Sequence, residues 1–539
     1  MRPEISRTLT PAIPLHRRFF PIPKPASDRR GLFADEPETC RRSVRQFLSI
    51  LAHLGLLLAV FCEYHVEGPA FRMLVAMTLA ALPVHYAVPL RFKKPLFVAV
   101  SIVGLGWIFG LTAAAIVVAL GLSLIALSRL PTAWTTRVAV LMAVGLILGV
   151  TRAWSTRLPV PDTVWPVLGS MFIFRMILYL YELKHAEGPE SFTDALAYFF
   201  LLPNLCFVHF PVVDYRSFRR GYFAQDIHAT QATGLRMMAR GTVHLLAYRL
   251  VYHELLIPAE EVRSLATLLG FLVCNYLLYL RVSGQFHMAC GMLHLFGFSL
   301  PPTHNNYLLA TSFTDYWRRI NIYWKDFMIR VVFNPVVFRL KHYPQSVALA
   351  LATATVFFAT WILHAYQMFW RWGSWKFSTT DALFWGVLGV LVLINIQLEA
   401  RAPRRSRGKA VDTLVGARSV VIGRVLMIAG ALVTFGSLGL FLSELPSLSD
   451  AFSSPSALFA AKAFYLGIFV GVGGLLLRHA SEAGVADRAG SLGIAKAMSV
   501  HGLKTVATFA TIAVLWSLWY SPSVGTWLAM MRRAALSAG

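Results

Sequence analysis

Charged residues are scarce in this chain of 539 residues. They make up 14% of it, whereas about a quarter of the residues in a soluble domain are charged. The hydrophobic fraction is 57%, and a soluble chain of this length would divide into about three or four domains. The composition instead predicts an integral membrane protein in which one bundle of spanning helices takes up most of the chain.

Acidic side chains are scarcer than basic ones, 26 against 50, which gives a formal net charge of +24. The Lys and Arg residues fall in short clusters between apolar runs, as in cytoplasmic loops that face anionic lipid. Arg91, Lys93 and Lys94 form one such cluster, and residues 401–417 hold another. We therefore predict membrane lipids as partners and no nucleic acid.

Cysteine is scarce as well. Neither a disulfide framework nor a zinc site is expected, because no two cysteines form a CxxC pair and no histidine lies near a pair of them. We predict no bound metal. The five cysteines are Cys40, Cys62, Cys206, Cys274 and Cys290.

Apolar runs divide the chain. A helix needs about 20 apolar residues to cross the hydrocarbon layer, and by that criterion we count on the order of 11 to 14 membrane segments. The predicted fold is an all-α polytopic helical bundle. The runs lie near residues 47–63, 70–90, 95–127, 137–151, 164–182, 193–213, 242–257, 263–282, 286–300, 345–370, 381–398, 418–444, 457–477 and 501–519.

Two of these runs have an unusual length. The run at 95–127 is long enough for two short helices that meet at Gly104, Gly106 or Gly110. The run at 286–300 is short, so we expect a re-entrant or interfacial segment there.

The remaining stretches complete the domain plan. Residues 1–45 are basic and contain several prolines, and the first apolar run starts too late for a signal peptide. We predict a disordered cytoplasmic tail at 1–45, a membrane core at 46–400, a basic cytoplasmic linker at 401–417 and C-terminal membrane helices at 418–539. The last region carries little polar chemistry.

One histidine is placed where a titratable group is costly. His364 lies deep in the apolar run 345–370, which makes it a functional candidate. The alternative is a neutral core histidine whose nitrogens bond to neighbouring carbonyls or hydroxyls.

Residues 313–343 depart from simple hydropathy, because they mix aromatic and basic side chains around Asn321. This pattern predicts an amphipathic stretch at the interface. Its aromatic side chains could form a headgroup belt, and its cations could extend toward lipid phosphates. Arg175, in another apolar run, would also suit a transporter, but we find none of the related halves that transporters usually show.

Three sequence blocks in this order resemble the membrane-bound O-acyltransferase superfamily. They are LLPNLCFVHFPVVDYRSF at 201–218, GFSLPPTHNNYLLATSFTDYWRRINIYWKDFMIRVVFNPV at 297–336 and LHAYQMFWRWG at 363–373. The resemblance covers about residues 195–400 and is carried by the order and spacing of the blocks. It implies the fold of that superfamily, with re-entrant and interfacial helices around a central tunnel.

The resemblance places His364 on the family's essential histidine and Asn321 on a second site position. It implies transfer of an acyl group, acetyl or another short one, from acyl-CoA or an acyl carrier protein to a hydroxyl, with no bound cofactor. His364 would be the general base and Asn321 would orient the acceptor or stabilise the oxyanion. Donor binding would fall to the aromatic and basic stretch, namely Tyr316, Trp317, Arg318, Arg319 and Lys325.

The similar bacterial members include alginate O-acetyltransferases and teichoic acid D-alanyl transferases. They imply a cell-envelope glycan as acceptor, a multi-pass location in the bacterial inner membrane and a periplasmic partner acyltransferase. The chain departs from their pattern, since Asn321 stands where glycan-acylating members usually have histidine and Ala365 replaces a glycine. Lipid- and sterol-acylating members often have asparagine there, so a lipid acceptor stays open, as does a non-catalytic scaffold.

Overall fold

The computed structural model of the chain describes residues 40, 43–154, 160–185, 191–201, 213–401 and 491–536. These ranges are almost entirely helical and contain no β-strand. Most of the predicted N-terminal tail and linker, and the predicted runs at 418–444 and 457–477, lie outside the described residues.

The helices of the first half are α1 (Val44–Glu63), α2 (Pro69–Ala87), α3 (Leu90–Phe109), α4 (Leu111–Ser128), α5 (Trp134–Ala153), α6 (Val164–His185), α7 (Phe192–Phe199), α8 (Tyr215–Gly221) and α9 (Ile227–Leu250). Those of the second half are α10 (Leu265–Leu277), α11 (Leu280–Leu295), α12 (Phe313–Ile320), α13 (Ile322–Met328), α14 (Asn334–Arg339), α15 (Gln345–Trp372), α16 (Thr379–Arg401), α17 (Ser491–Tyr520) and α18 (Val524–Leu536).

Within the described residues, ten helical runs are long and apolar enough to cross a membrane. The chain is therefore a multi-pass membrane protein, as its composition predicted.

The long run predicted at 95–127 is two helices. They meet at Gly110, whose φ of +83° lies in a region that disfavours every residue with a Cβ atom. The sequence offered three glycines for this break, and the structure uses the last of them.

Two predicted runs differ from the structure. The run at 242–257 consists of the C-terminal end of α9, which is a more polar helix, and of a π-helical turn at Val251–Leu255. It is therefore not among the spanning helices. The run at 286–300 falls mostly in α11, which follows α10 after two residues and buries most of its side chains. Tertiary packing rather than hydropathy determines these two elements.

Close contact between α9 and α11 explains that burial. A Cβ atom added at Gly234 would lie 2.6 Å from the carbonyl oxygen of Gly291, and one at Gly241 would lie 2.8 Å from that of Gly284. The two glycine pairs are seven residues apart on both helices, so they recur on one face of each. The backbones can approach this closely because neither helix has a side chain there.

The stretch predicted to be amphipathic, 313–343, is a series of short helices, α12 to α14, with a π-helical turn at Ile329–Phe333. Helix α12 buries Tyr316 and Ile320, whereas the side chain of Arg318 is 59% exposed. The buried faces of α12 and α13 share a hydrophobic cluster with α15, α16 and α17. That cluster encloses the candidate site.

Candidate active site

A cavity of about 280 Å³ lies between α12, α13, α15, α16 and α17. His364 and Asn321, which the sequence places far apart, both line it. Tyr316 and Trp317 line it as well, so four of the seven predicted site residues meet at one cavity. The described lining contains no Asp, Glu, Lys or Arg.

His364 lies in the C-terminal third of α15, a helix of 28 residues. The helix starts after Pro344 and ends at Gly373, whose φ of +75° forms the left-handed C-cap that glycine accommodates best. The apolar side chains of the helix keep it within the membrane. His364 is thus held at cavity depth, with the imidazole partly buried.

Three tryptophans surround the His364 ring. Trp385 of α16 stacks on it with ring centroids 4.8 Å apart and planes 26° apart. Trp324 of α13 and Trp519 of α17 each lie 5.9 Å away, centroid to centroid. Their surfaces restrict where the imidazole can move and cover part of it, and electrostatic interactions with a polar group are stronger in such partly desolvated surroundings than in bulk water.

Asn321 lies at the break between α12 and α13. Its side-chain oxygen accepts a hydrogen bond from the backbone N–H of Trp324 at 3.2 Å, which caps α13. Asparagine is among the best N-cap residues, so local sequence explains why one helix stops and another starts here. Because the oxygen is used by the cap, the NH₂ group is the part of the amide that can donate to a ligand.

Trp324 connects the two predicted residues, since its backbone N–H holds Asn321 and its ring packs on His364. Its indole N–H also donates to the hydroxyl of Thr360, one turn before His364 on α15, at 3.4 Å. The α13 cap, the indole and the imidazole therefore form a continuous contact path along one wall of the cavity.

The three predicted basic residues lie outside the lining, and each is next to a carboxylate. Arg318 pairs with Glu399 at 3.0 Å, Arg319 with Asp315 at 2.6 Å and Lys325 with Asp326 at 2.7 Å. Their role in binding a donor phosphate stays a prediction.

Sequence reasoning missed the contribution of the C-terminal helix. Trp516 and Trp519 of α17 line the cavity, although the region after residue 417 was expected to carry little polar chemistry. The indole N–H of Trp519 donates to Asp381, which also accepts a hydrogen bond from Ser378 at 2.7 Å. The signal in the sequence for this contribution was the i, i+3 spacing of the two tryptophans. The same spacing occurs in helices that only pack against their neighbours.

A larger cavity of about 980 Å³ lies on the other side of α15, between α5, α6 and α15. Its lining is mainly aliphatic and aromatic, with Lys184, His185 and Arg330 among the few polar side chains. Phe174 lines both cavities and packs edge-on against Trp324 and Tyr366. One aromatic side chain is thus part of the partition between them.

Arg175, the residue considered for a translocation path, is 1% exposed. Its guanidinium donates to the carbonyl oxygen of Phe199 at 3.1 Å and lies over the Tyr198 ring. This position supports a structural role, because it ties α6 to the C-terminal end of α7.

In the part of the chain that the structure describes, no group of three or more His, Cys, Asp or Glu could hold a metal ion. No protein-family model matches the chain, and no curated protein matches it in sequence. The cavity and the three sequence blocks are therefore the features of the chain that point to a function.

Proposed function

We propose that this protein is a membrane-bound O-acyltransferase of the superfamily that its sequence blocks resemble, with His364 as the general base. The observation that carries the proposal is the meeting of His364 and Asn321 at one aromatic cavity inside a bundle of membrane helices. A base and an amide donor that line the same cavity are groups that can support acyl transfer to an alcohol.

The reaction starts from an alcohol, which is a weak nucleophile at neutral pH. His364 takes the hydroxyl proton as the oxygen attacks the thioester carbonyl. The tetrahedral intermediate collapses with loss of the thiolate, and the imidazolium returns the proton to the sulfur. The ester and the free thiol are formed with no net change in protons.

Asn321 supports the charge that develops in this step. Its NH₂ group donates to the oxyanion or to the attacking hydroxyl, and its cap bond to Trp324 fixes the amide beforehand. A preorganised donor of this kind contributes about 10²–10³ in turnover. Neither a metal nor a nucleophilic serine or cysteine takes part.

The donor is an acyl-CoA or acyl carrier protein thioester, used as a co-substrate. Tyr316 and Trp317 contact its acyl end, since both line the cavity. Each of the three basic residues, Arg318, Arg319 and Lys325, pairs with a carboxylate. To bind the donor phosphates, they must first release these carboxylates. The aromatic residues are therefore the better supported part of the predicted donor site.

The acceptor that we favour is a hydroxyl of a cell-envelope glycan, reached from the outer face of a bacterial inner membrane with a periplasmic partner acyltransferase. Stacked tryptophans such as Trp385 and Trp519 suit the apolar faces of sugars. A lipid acceptor is the second candidate, and the apolar cavity of about 980 Å³ behind Phe174 favours it.

The test is transfer from a radiolabelled acetyl thioester in membranes that contain the full chain, with products separated into glycan and lipid fractions. Label in the glycan fraction that is lost in His364→Ala supports the proposal. Label in the lipid fraction supports the second acceptor. The control is His53→Ala, because His53 is an exposed histidine of a membrane helix, α1, away from the cavity. Equal incorporation by wild type and His364→Ala would favour a non-catalytic scaffold or a transporter.

A further inference from the structure

A second group of histidines lies behind the wall of the candidate cavity. His244 of α9, His287 of α11 and His304 of the loop between α11 and α12 follow one another at ring-centroid distances of 5.2 and 5.6 Å. His304 is 3% exposed, although it lies in a loop. A buried polar ring in a loop needs partners on both nitrogens.

Both ring nitrogens of His304 have partners. Nε2 lies 3.0 Å from the hydroxyl oxygen of Tyr279, and Nδ1 lies 3.1 Å from the hydroxyl oxygen of Thr303. Burial lowers the pKa of His304 well below its usual value, so the ring is neutral and forms one bond as donor and the other as acceptor. Tyr279 lines the candidate cavity, which makes His304 the side chain directly behind that part of the wall.

The loop that carries His304 also holds the backbone on both sides of Asn321. The N–H of Ile322 donates to the carbonyl of Thr303 at 2.9 Å, and the N–H of Asn305 donates to the carbonyl of Arg319 at 3.0 Å. These bonds come from the two neighbours of His304 in sequence. They fix the break between α12 and α13, where Asn321 has a non-helical backbone with φ −140°.

We propose that His304 is a positioning residue of the acyl-transfer site, which sets Tyr279 through its side chain and Asn321 through its loop. The inference rests on the proposed function and adds to it a residue outside the cavity lining. The three sequence blocks did not single out His304. Its effect is indirect, since Tyr279 and Asn321 meet the cavity and His304 does not.

The experiment compares His304→Leu and His304→Gln in the full chain, with steady-state kinetics for the thioester. We expect His304→Leu to lower kcat by about 10- to 100-fold, because displacement of site groups by about 1 Å costs that much, with a smaller change in KM. His304→Gln, which can still bond to Tyr279, should recover most of the loss. The control is His244→Gln, a change in the same histidine group that does not contact Tyr279 or the Asn321 loop.

Wild-type kcat in His304→Leu would overturn the inference while wild-type activity still supports acyl transfer. A wild-type protein with no acyl transfer would overturn the proposed function instead. If His304→Leu does not fold, a double-mutant cycle compares His304→Asn, whose amide is too short to reach Tyr279, with Tyr279→Phe and with the double variant. Losses that do not multiply support the coupling, and losses that multiply in full overturn it.

Discussion

The two cavities on opposite sides of α15 differ in size and in chemistry. The larger, about 980 Å³, is lined mainly by aliphatic and aromatic side chains, whereas the smaller, about 280 Å³, brings an imidazole, two amides and three phenols together among tryptophans. Residues one or two positions apart on α15, such as His364 and Tyr366, face different cavities. A choice by volume alone would favour the side of the helix that His364 and Asn321 do not face.

The difference between the two cavities is tested most directly by changing one residue on each face of α15. We expect His364→Gln to lower turnover by about 10²–10⁴, because the amide cannot accept the hydroxyl proton as a base. Leu363→Ala, the preceding residue, removes apolar bulk from the larger cavity and should leave turnover near that of wild type. Acyl-transfer rates in purified protein measure both. A larger loss in Leu363→Ala than in His364→Gln would reverse the assignment of the two cavities.

The two roles of Asn321, as helix cap and as hydrogen-bond donor, can be separated by substitution. Asn321→Asp keeps the oxygen that caps α13 but lacks the NH₂ donor, since aspartate is an equally good N-cap residue. We expect turnover to fall by about 10²–10³, with little change in thermal unfolding temperature. Asn321→Ala loses both roles, so it should be destabilised as well.

The outcome for Asn321 is decided by comparing the two variants. If Asn321→Asp keeps wild-type turnover, the residue serves only as a helix cap. Of the two predicted catalytic residues, only His364 would then have a chemical role in the smaller cavity.

The C-terminal helix gives the next test. Asp381→Ala removes the carboxylate that holds the Trp519 indole, which lies nearly perpendicular to the His364 ring. We expect turnover to fall by about tenfold, as a packing partner of the base shifts. Asp381→Asn keeps an acceptor oxygen and should lose less. Tryptophan fluorescence reports whether the indole environment has changed, and an altered spectrum with unaltered turnover would remove Trp519 from the site.

Part of this architecture could be predicted from sequence. Apolar runs predicted most spanning helices, and the glycines at 104–110 predicted a break, because both depend on local sequence. His364 and Asn321 followed from the order of motif blocks. Their shared cavity could not be derived from spacing alone.

The missed elements depend on long-range packing. Only the C-terminal part of α9 stands out in hydropathy, and the rest of the helix is placed by the fit of Gly234 and Gly241 against α11. From sequence alone, Trp519 and Tyr279 look like aromatic residues of the core, because the sequence does not show which helices face them. Nothing in the local sequence of a membrane helix distinguishes an aromatic side chain that lines a site from one that only packs against its neighbours.

The smallest expected effect comes from filling the larger cavity. Gly145 on α5 lines it, and an added Cβ atom there meets nothing within 4 Å, so Gly145→Phe places a ring in the cavity without a backbone clash. The control is Gly270→Phe on α10, another position with nothing within 4 Å. With a glycan acceptor, both variants should transfer label within about twofold of wild type, as substitutions that disturb no packed contact usually do. With a lipid acceptor whose chain occupies the larger cavity, Gly145→Phe alone should raise KM for the acceptor. The same pair of variants thus decides whether the larger cavity takes part in the reaction or only adjoins it.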